Sequence, residues 1–312
     1  MLLEKCMPGS YIFNANISNK DHCKMKIRQN LHIHSSHSCD SACIPIANII
    51  KEMENFGIKH YALTDHLHTA YNLPDIASAR NDFLRCCPPE NFHFGIEVSC
   101  VTAFECEEIA RGNYTAWGDT PVFGLRYLED FDGRMAIGIT AEDVEKYGIE
   151  LVVAGVHWPL GYPRERMEVI ENYFQQHMFL ISHPLVDVLA HPWDSITLAA
   201  GDWYHYRDQE HIDRTIYRDI PKEYSDRMAQ ELLKYNKPAE INFPVVASRF
   251  PEERKFYLDM LTDWKDQGVK FTLGDDLHYM NFSRDQFIAI EQMLTDRGFT
   301  DDDFVLPFKK KN

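Results

Sequence analysis

Short apolar segments alternate along this chain with segments whose apolar residues recur at helical spacing. The apolar segments predict seven strands, over residues 25–34, 61–64, 92–98, 151–156, 186–190, 239–243 and 269–273. Most of these predicted strands are followed by a predicted helix. Repeated strand-then-helix order is typical of a mainly parallel sheet, which is either closed as a barrel or open with helices on both faces.

The predicted helices cover residues 46–56, 75–85, 167–181, 224–235, 256–264 and 283–294, and Gly57 and Gly268 are well placed to end two of them. No repeat, low-complexity tract or linker rich in glycine, serine and proline divides the chain. We therefore expect one domain over residues 1–312. Within it, residues 100–148 interrupt the alternation as an insertion with the short alternating segments of a hairpin.

Histidines and carboxylates stand at the carboxyl ends of the predicted strands. The set comprises His32, His34, Asp65, His66, Glu97, His157, His191, Asp275, Asp276 and His278, while Glu240 lies within the sixth predicted strand. In a barrel of parallel strands all these ends open on one face, whereas an open sheet would spread them along a line. The pattern therefore favours a barrel with a single site at its mouth.

The chemistry of these side chains indicates a metal site. His32 and His34 are two residues apart on a predicted strand, which puts both rings on the same side of the backbone. Imidazoles with nearby carboxylates suit Zn²⁺, Mn²⁺ or Fe²⁺ better than Ca²⁺, which prefers oxygen ligands. A single histidine at a strand end is more often structural, so the prediction depends on the joint pattern.

Composition limits what the chain can bind. Acidic residues outnumber basic residues 48 to 32, and the formal charge of −16 argues against binding long nucleic acids, whose phosphates are held by Lys and Arg. No run approaches the roughly 18 apolar residues of a membrane span. The eight cysteines lie at or before Cys106 without a CxxC pair, and the early charges Glu4 and Lys5 are unlike a signal peptide. We expect a reduced, cytoplasmic protein.

Six short motifs together resemble those of the PHP (polymerase and histidinol phosphatase) superfamily. They are Asn30-Leu31-His32-Ile33-His34-Ser35, Thr64-Asp65-His66, Gly95-Ile96-Glu97, Gly155-Val156-His157, Ala190-His191-Pro192 and Gly274-Asp275-Asp276-Leu277-His278. The motifs follow the family order over residues 30–278. The resemblance implies an α/β fold, the distorted (β/α)7 TIM-like barrel of the PHP type, with a cluster of two or three divalent metal ions.

The resemblance also implies a ligand set. One metal would be held by His32, His34, Glu97 and Asp276. Glu97 would bridge to a second metal, held with His157 and His191, and the third would be held by Asp40, His66 and His278. The family spacing points to Asp40, although His37 and Cys39 are close competitors. Asn30 stands where the family often has Asp, and Asp65 and Asp275 are expected to support the ligands.

The family chemistry predicts a metal-dependent phosphoesterase that hydrolyses a small phosphomonoester with metal-bound hydroxide as the nucleophile. L-histidinol phosphate is the first candidate substrate, and Asp40, His66, Glu97 and His191 are the predicted catalytic residues. The arginine that histidinol phosphatases often carry shortly after the fifth-strand histidine is absent from residues 191–197. Phosphate contacts are therefore expected from other residues, for which the candidates are Arg164, Arg207, Arg249 and His68.

Two other functions are compatible with the same residues. One is a different hydrolase: a phosphodiesterase or nuclease acting on a small nucleotide, or another metal hydrolase with a barrel fold, such as an amidohydrolase. The bridging lysine of many amidohydrolases has no obvious counterpart in this sequence. The other is a non-catalytic metal-binding or regulatory protein. A structural zinc needs only four closed ligands, whereas this chain offers nine around a mouth. The number of bound metals separates these possibilities, since one tight metal indicates structure and two or three indicate hydrolysis.

Overall fold

The computed structural model describes residues 25–40, 42–113, 132–161, 165–197, 213–248, 250–280 and 283–308. Its main sheet is entirely parallel and has the strand order β1-β2-β4-β7-β8-β9-β10, with β3 paired to β4. The strands are β1 Gln29–Asn30, β2 His60–Leu63, β3 His66–Leu67, β4 Phe92–Ser99, β7 Leu151–Gly155, β8 Val188–Leu189, β9 Ala239–Asn242 and β10 Phe271–Gly274. A smaller antiparallel pair consists of β5 Val101–Thr102 and β6 Met135–Ala136.

The first and last strands of the sheet approach each other and nearly close a barrel. The Leu31 N–H donates to the carbonyl oxygen of Leu273 at 2.8 Å, and Ile33 forms a parallel bridge with Leu277. Helices surround the sheet, as repeated strand-then-helix order requires. The predicted α/β barrel of the PHP type, with seven strands along its path, is confirmed.

The helices are α1 Ile46–Phe56, α2 Leu73–Arg85, α3 Ala103–Ala110, α4 Ala141–Tyr147, α5 Arg166–Ser182, α6 Lys222–Tyr235, α7 Phe243–Val246, α8 Pro251–Gln267 and α9 Arg284–Asp296. The predicted stops at Gly57 and Gly268 are confirmed, because both glycines adopt the left-handed conformation directly after α1 and α8. Ser283 caps α9 by accepting a hydrogen bond from the Gln286 N–H at 3.3 Å.

The first strand is shorter than predicted. The alternation indicated a strand over residues 25–34, but only Gln29 and Asn30 are paired as a regular strand. Beyond them the backbone pairing is irregular, because the Ile33 N–H donates to the Thr64 side-chain oxygen at 3.0 Å. The second predicted strand likewise ends at Leu63, and His66 resumes pairing with Glu97 as part of β3.

The barrel interior and the outer shell are both apolar, as expected for parallel strands that are covered on both faces. Inside the barrel, six buried residues form a small cluster with Phe308 packed against it: Leu31, Ala62, Leu151, Val153, Val188 and Ala190. Phe308 also stacks on His93 with ring centroids 3.6 Å apart, near the start of β4. Apolar residues therefore fill one end of the barrel, and the polar side chains gather at the other.

The described part of residues 100–148 contains β5, α3, β6 and α4. Val101 pairs with Ala136 and Thr102 with Met135, so β5 and β6 form a short antiparallel pair within the segment. Residues 114–131 are outside the described ranges, and a single domain with an insertion at residues 100–148 stays a prediction. None of the helices in the described ranges is long and apolar enough to cross a membrane.

Candidate metal centre

Glu97 lies at the centre of a cluster of histidines at the carboxyl ends of the strands. It is completely buried near the end of β4. Its Oε1 lies 2.9 Å from Nε2 of both His157 and His191. Its Oε2 lies 2.9 Å from Nδ1 of His66 and 3.1 Å from Nε2 of His32. One carboxylate thus faces imidazoles from four different strand ends.

The first group of possible ligands is the one that the family resemblance implies for the first metal. Donor atoms of His32, His34, Glu97 and Asp276 all lie within 4.8 Å of one another. Nε2 of His34 is 3.1 Å from Oδ1 of Asp276. The Asp276 N–H donates to the carbonyl oxygen of His32 at 2.9 Å and its φ is 49°, so a left-handed turn after β10 aims the carboxylate at the histidines.

A second group contains His66, Glu97 and His157 within the same limit. His191, which the resemblance implies as a ligand here, reaches the same carboxylate from the end of β8. Gly155 makes this approach possible, since a Cβ at this position would lie 2.4 Å from Cε1 of His191 and 3.0 Å from Oε1 of Glu97. The absence of a side chain at the end of β7 therefore makes room for the ligand beside it.

A third group consists of His34, His66 and His278. Asp40 joins it, because its Oδ2 contacts Nε2 of His278 and lies 3.4 Å from Nε2 of His66. Among the competitors for the Asp40 role, His37 is turned away, with its Nε2 3.2 Å from a carboxylate oxygen of Asp82. The structure thus brings together all nine predicted ligands: His32, His34, Asp40, His66, Glu97, His157, His191, Asp276 and His278.

The donor atoms fit divalent cations. Glu97 Oε2 lies 3.1 Å from His32 Nε2 and 2.9 Å from His66 Nδ1, but none of these three buried atoms forms a well-aligned hydrogen bond among the described residues. A buried polar atom without a partner costs about 1–3 kcal/mol, and these three converge on one place. Coordination of cations would satisfy all of them, and mixed imidazole and carboxylate donors suit Zn²⁺, Mn²⁺ or Fe²⁺.

The histidines differ in their charge preference. Burial and the neighbouring His66 and His278 lower the pKa of His34 to about 3, and burial also lowers the pKa of His157 to about 4. Burial acts in the same direction on His66 and His191, but Glu97 outweighs it and raises their pKa values to about 10 and about 9. Burial would raise the pKa of Glu97, yet the surrounding histidines hold it well below its ordinary range.

Glu240 is part of the site, although the sequence patterns assigned it no role. Its Oε1 lies 2.7 Å from Nδ1 of His32, and its Oε2 accepts the His191 N–H at 2.9 Å. Gly274 leaves the space for it, since a Cβ there would lie 2.0 Å from Oε1 of Glu240. The available signal was the period of two in β9, which puts Glu240 and Asn242 on one face. Asn242 donates to Oδ2 of Asp276 at 3.4 Å.

The other acidic residues of the motifs, Asp65 and Asp275, take part in hydrogen bonds that hold the backbone next to the ligands. Asp65 accepts from the backbone N–H of Ser35 at 2.5 Å and from its hydroxyl at 2.7 Å, which holds the turn directly after His34. The Asp275 N–H donates to the side-chain oxygen of Asn30 at 3.1 Å. Asn30 therefore joins β1 to the end of β10, a role that needs a hydrogen-bond acceptor but no charge.

Only one of the four predicted substrate-binding residues, His68, is among the residues that the structure describes. Arg164, Arg207 and Arg249 lie outside the described residues, and their role stays a prediction. His68 is described and almost fully buried, with its Nδ1 2.6 Å from the Ser99 hydroxyl oxygen.

A nearly closed parallel barrel with overlapping histidine and carboxylate groups at its mouth defines a class of metal-binding barrel proteins. The family model of the PHP domain matches residues 30–244, which is more than half of the chain. The chain belongs to the PHP family. No curated protein sequence matches it.

Solved structures show only distant similarity. A Listeria monocytogenes protein described as a candidate histidinol phosphatase is 13% identical, with a TM-score of 0.47 over 80% of this chain and 95% of that one. A chain of archaeal ribonuclease P with mature tRNA is 9% identical, with a TM-score of 0.41 over 91% and 97%. Ochratoxinase from A. niger is 13% identical, with a TM-score of 0.39 over 88% and 67%. The family assignment rests on the family model and the motifs.

Proposed function

We propose that this protein is a metal-dependent phosphoesterase that hydrolyses a small phosphomonoester, with L-histidinol phosphate as the first substrate to test. The observation that carries the proposal is the position of Glu97, whose two oxygens face different histidines. Two of the ligand groups share this carboxylate, and His34 and His66 each belong to two groups. Shared ligands favour adjoining cations, whereas a structural metal has a closed set of four.

Bound divalent cations would supply Lewis acidity, which activates water at neutral pH and neutralises phosphate oxygens. The protein residues hold and orient the reactants. His191 and Glu97 are buried, but the side chains of Asp40, His157, Asp276 and His278 are partly exposed. The substrate phosphate therefore enters at this rim. The proton for the leaving alkoxide is expected from water at the same rim, since Asp40 and His278 are themselves predicted to hold a cation.

A cavity beside the rim supports a small substrate. Its volume is about 190 Å³, and it is lined by Phe243, Asp276, His278, Tyr279 and Gln286, among others. Because two predicted metal ligands form part of its wall, a phosphate held at the cluster would place a small organic group against Phe243 and Tyr279. The net charge of −16 also favours a small substrate over a nucleic acid polymer.

The test measures hydrolysis by protein loaded with Mn²⁺ or Zn²⁺, as release of inorganic phosphate from L-histidinol phosphate and an aryl phosphate monoester, and as release of the aryl alcohol from an aryl phosphate diester. We expect the monoesters to be hydrolysed faster than the diester. A rate for L-histidinol phosphate far above the aryl monoester would identify it as a substrate. Faster hydrolysis of the diester would support a phosphodiesterase, and no phosphate or alcohol release with two or more bound metals would support a non-catalytic protein.

A pair of histidine variants ties the activity to the cluster. His191→Ala removes a predicted ligand that faces Glu97, whereas His37→Ala removes a histidine that pairs with Asp82 instead. We expect His191→Ala to lose metal and activity together and His37→Ala to retain both. Full turnover by the His191→Ala protein, or by protein stripped of metal, would exclude the proposed mechanism.

A further inference from the structure

A buried hydroxyl group lies behind His157, on the side of the ring that faces away from Glu97. The Ser99 Oγ is 2.7 Å from Nδ1 of His157 and 2.6 Å from Nδ1 of His68. The opposite ring nitrogen of His157, Nε2, lies 2.9 Å from Oε1 of Glu97. His68, Ser99 and His157 therefore form a continuous chain of hydrogen bonds that ends at the metal centre.

The position of each proton in this chain follows from counting donors. A neutral imidazole has one N–H and one acceptor nitrogen, and a serine hydroxyl has one hydrogen to donate. If His157 binds a cation through Nε2, its proton is on Nδ1 and is donated to the Ser99 oxygen. The hydroxyl hydrogen is then donated to Nδ1 of His68, which must carry its own proton on Nε2.

We propose that Ser99 and His68 are positioning residues that hold His157 in the tautomer and orientation in which Nε2 faces the metal centre. This inference rests on the metal centre of the proposed function and is independent of which phosphoester, if any, is hydrolysed. Residues behind a metal-binding histidine set the tautomer of the ring, and their loss typically weakens metal binding by about 10–100-fold.

The surrounding structure holds the three hydrogen-bonded side chains in place. Glu97 and Ser99 are two residues apart on β4 and thus lie on the same face, so one strand provides the groups on both sides of His157. The backbone N–H of His68 donates to the Asn72 side-chain oxygen at 3.2 Å. The His68 ring packs edge-on against Trp158 with centroids 5.0 Å apart, and it stacks on His66 at 4.6 Å.

The first experiment measures zinc affinity by competition with a chelator. Ser99→Ala removes the bridge, and His68→Leu removes the acceptor for the serine hydroxyl. In His68→Asn, the amide oxygen takes approximately the place of Nδ1 and can accept the same hydrogen bond. We expect the affinity for the weakest-binding zinc to fall by about 10–100-fold in Ser99→Ala and His68→Leu. The affinity of His68→Asn should stay within about threefold of the wild type.

His37→Leu is the matched control, since it also replaces a histidine near the centre but one that pairs with Asp82. Its zinc affinity should equal that of the wild type. Equal losses in His68→Leu and His68→Asn, or wild-type affinity in Ser99→Ala, would overturn the proposal. If His68 contacts substrate instead, its variants would raise KM and leave zinc affinity unchanged, which also overturns it.

A second measurement needs no variant. In zinc-loaded protein labelled with ¹⁵N at histidine, long-range ¹H–¹⁵N correlation spectra report which ring nitrogen carries the proton. We expect Nδ1–H for His157 and Nε2–H for His68. The Nδ1–H tautomer at His68 would overturn the proposal. Because neither experiment uses a substrate, a protein that binds zinc as expected but hydrolyses no phosphoester would disprove the proposed function alone.

Discussion

The two sides of the metal centre support their histidines differently. On one side Nδ1 of His32 faces the carboxylate of Glu240, at 2.7 Å. On the other side Nδ1 of His157 faces the neutral hydroxyl of Ser99, also at 2.7 Å. Burial would lower the pKa of both rings, but Glu240, Glu97 and Asp276 raise the pKa of His32 well above its ordinary value. The pKa of His157 falls to about 4.

This difference indicates how the two ligands compete with protons. His157 is neutral at physiological pH, so its ring is available to a cation without losing a proton. His32 between two carboxylates is protonated until a cation replaces the proton, and Glu240 then makes the ring a more basic ligand. The two sides are thus expected to respond differently to mutation and to pH.

The largest effect is expected where both sides meet. Glu97→Gln removes the charge that faces His32, His66, His157 and His191 and keeps the size of the side chain. We expect metal affinity to fall by more than about 100-fold on both sides, above the range for residues behind a ligand. Elemental analysis after exhaustive dialysis measures the metal content. Retention of two or more metals per chain would contradict the bridging role of Glu97.

A smaller effect is expected from Glu240→Gln. The amide oxygen can still accept from Nδ1 of His32, but the negative charge is lost and the amide nitrogen cannot accept the His191 N–H. We expect metal affinity to decrease by about 10–100-fold and the His157 tautomer to stay unchanged. Chelator competition and ¹⁵N histidine spectra measure the two quantities. A loss in Glu240→Gln no greater than in His37→Ala would show that the charge behind His32 has no role in binding.

The smallest effect is a graded dependence on pH. In metal-free protein Glu97 raises the pKa values of His66 and His191 to about 10 and about 9, so both rings are protonated at pH 7. These charged pairs stabilise the metal-free fold fully below the unfolded pKa of about 6.5, and that stabilisation is lost as the pH rises through 9–10. Metal binding must displace the same protons, so affinity rises with pH up to this range.

The measurement is proton release when Mn²⁺ is added to metal-free protein in weak buffer at pH 7. We expect at least three protons per fully loaded chain, from His32, His66 and His191. His34 and His157, whose pKa values are about 3 and about 4, contribute none. Metal binding without proton release would show that the histidines around Glu97 are neutral before the cation arrives.

Much of the fold follows from local patterns in the chain. The order of apolar strands and amphipathic helices predicted a mainly parallel sheet, the polar residues at the strand ends favoured a barrel, and Gly57 and Gly268 ended their helices as expected. The pattern overestimated the length of the first strand. Alternation shows which side each residue faces but not where its backbone N–H is hydrogen-bonded. The Ile33 N–H donates to the side chain of Thr64 and not to a neighbouring strand.

The candidate ligands could also be found from the sequence, because a barrel brings the ends of all its parallel strands to one face. His32, Glu97 and His191 are distant along the chain, yet topology alone places them at a common mouth. What topology does not give is which atoms are shared. Side-chain distances decide that Glu97 faces histidines with both oxygens and that His34 and His66 each belong to two ligand groups.

The residues behind the ligands were decided by the tertiary structure alone. Glu240 and Ser99 belong to no motif, and their hydrogen bonds reach His32 and His157, 208 and 58 residues away along the chain. The sequence by itself determined the fold class and the candidate donors, because period and strand order are local properties. The hydrogen-bond partner of each ring nitrogen is set by contacts between distant segments, and no local pattern records them.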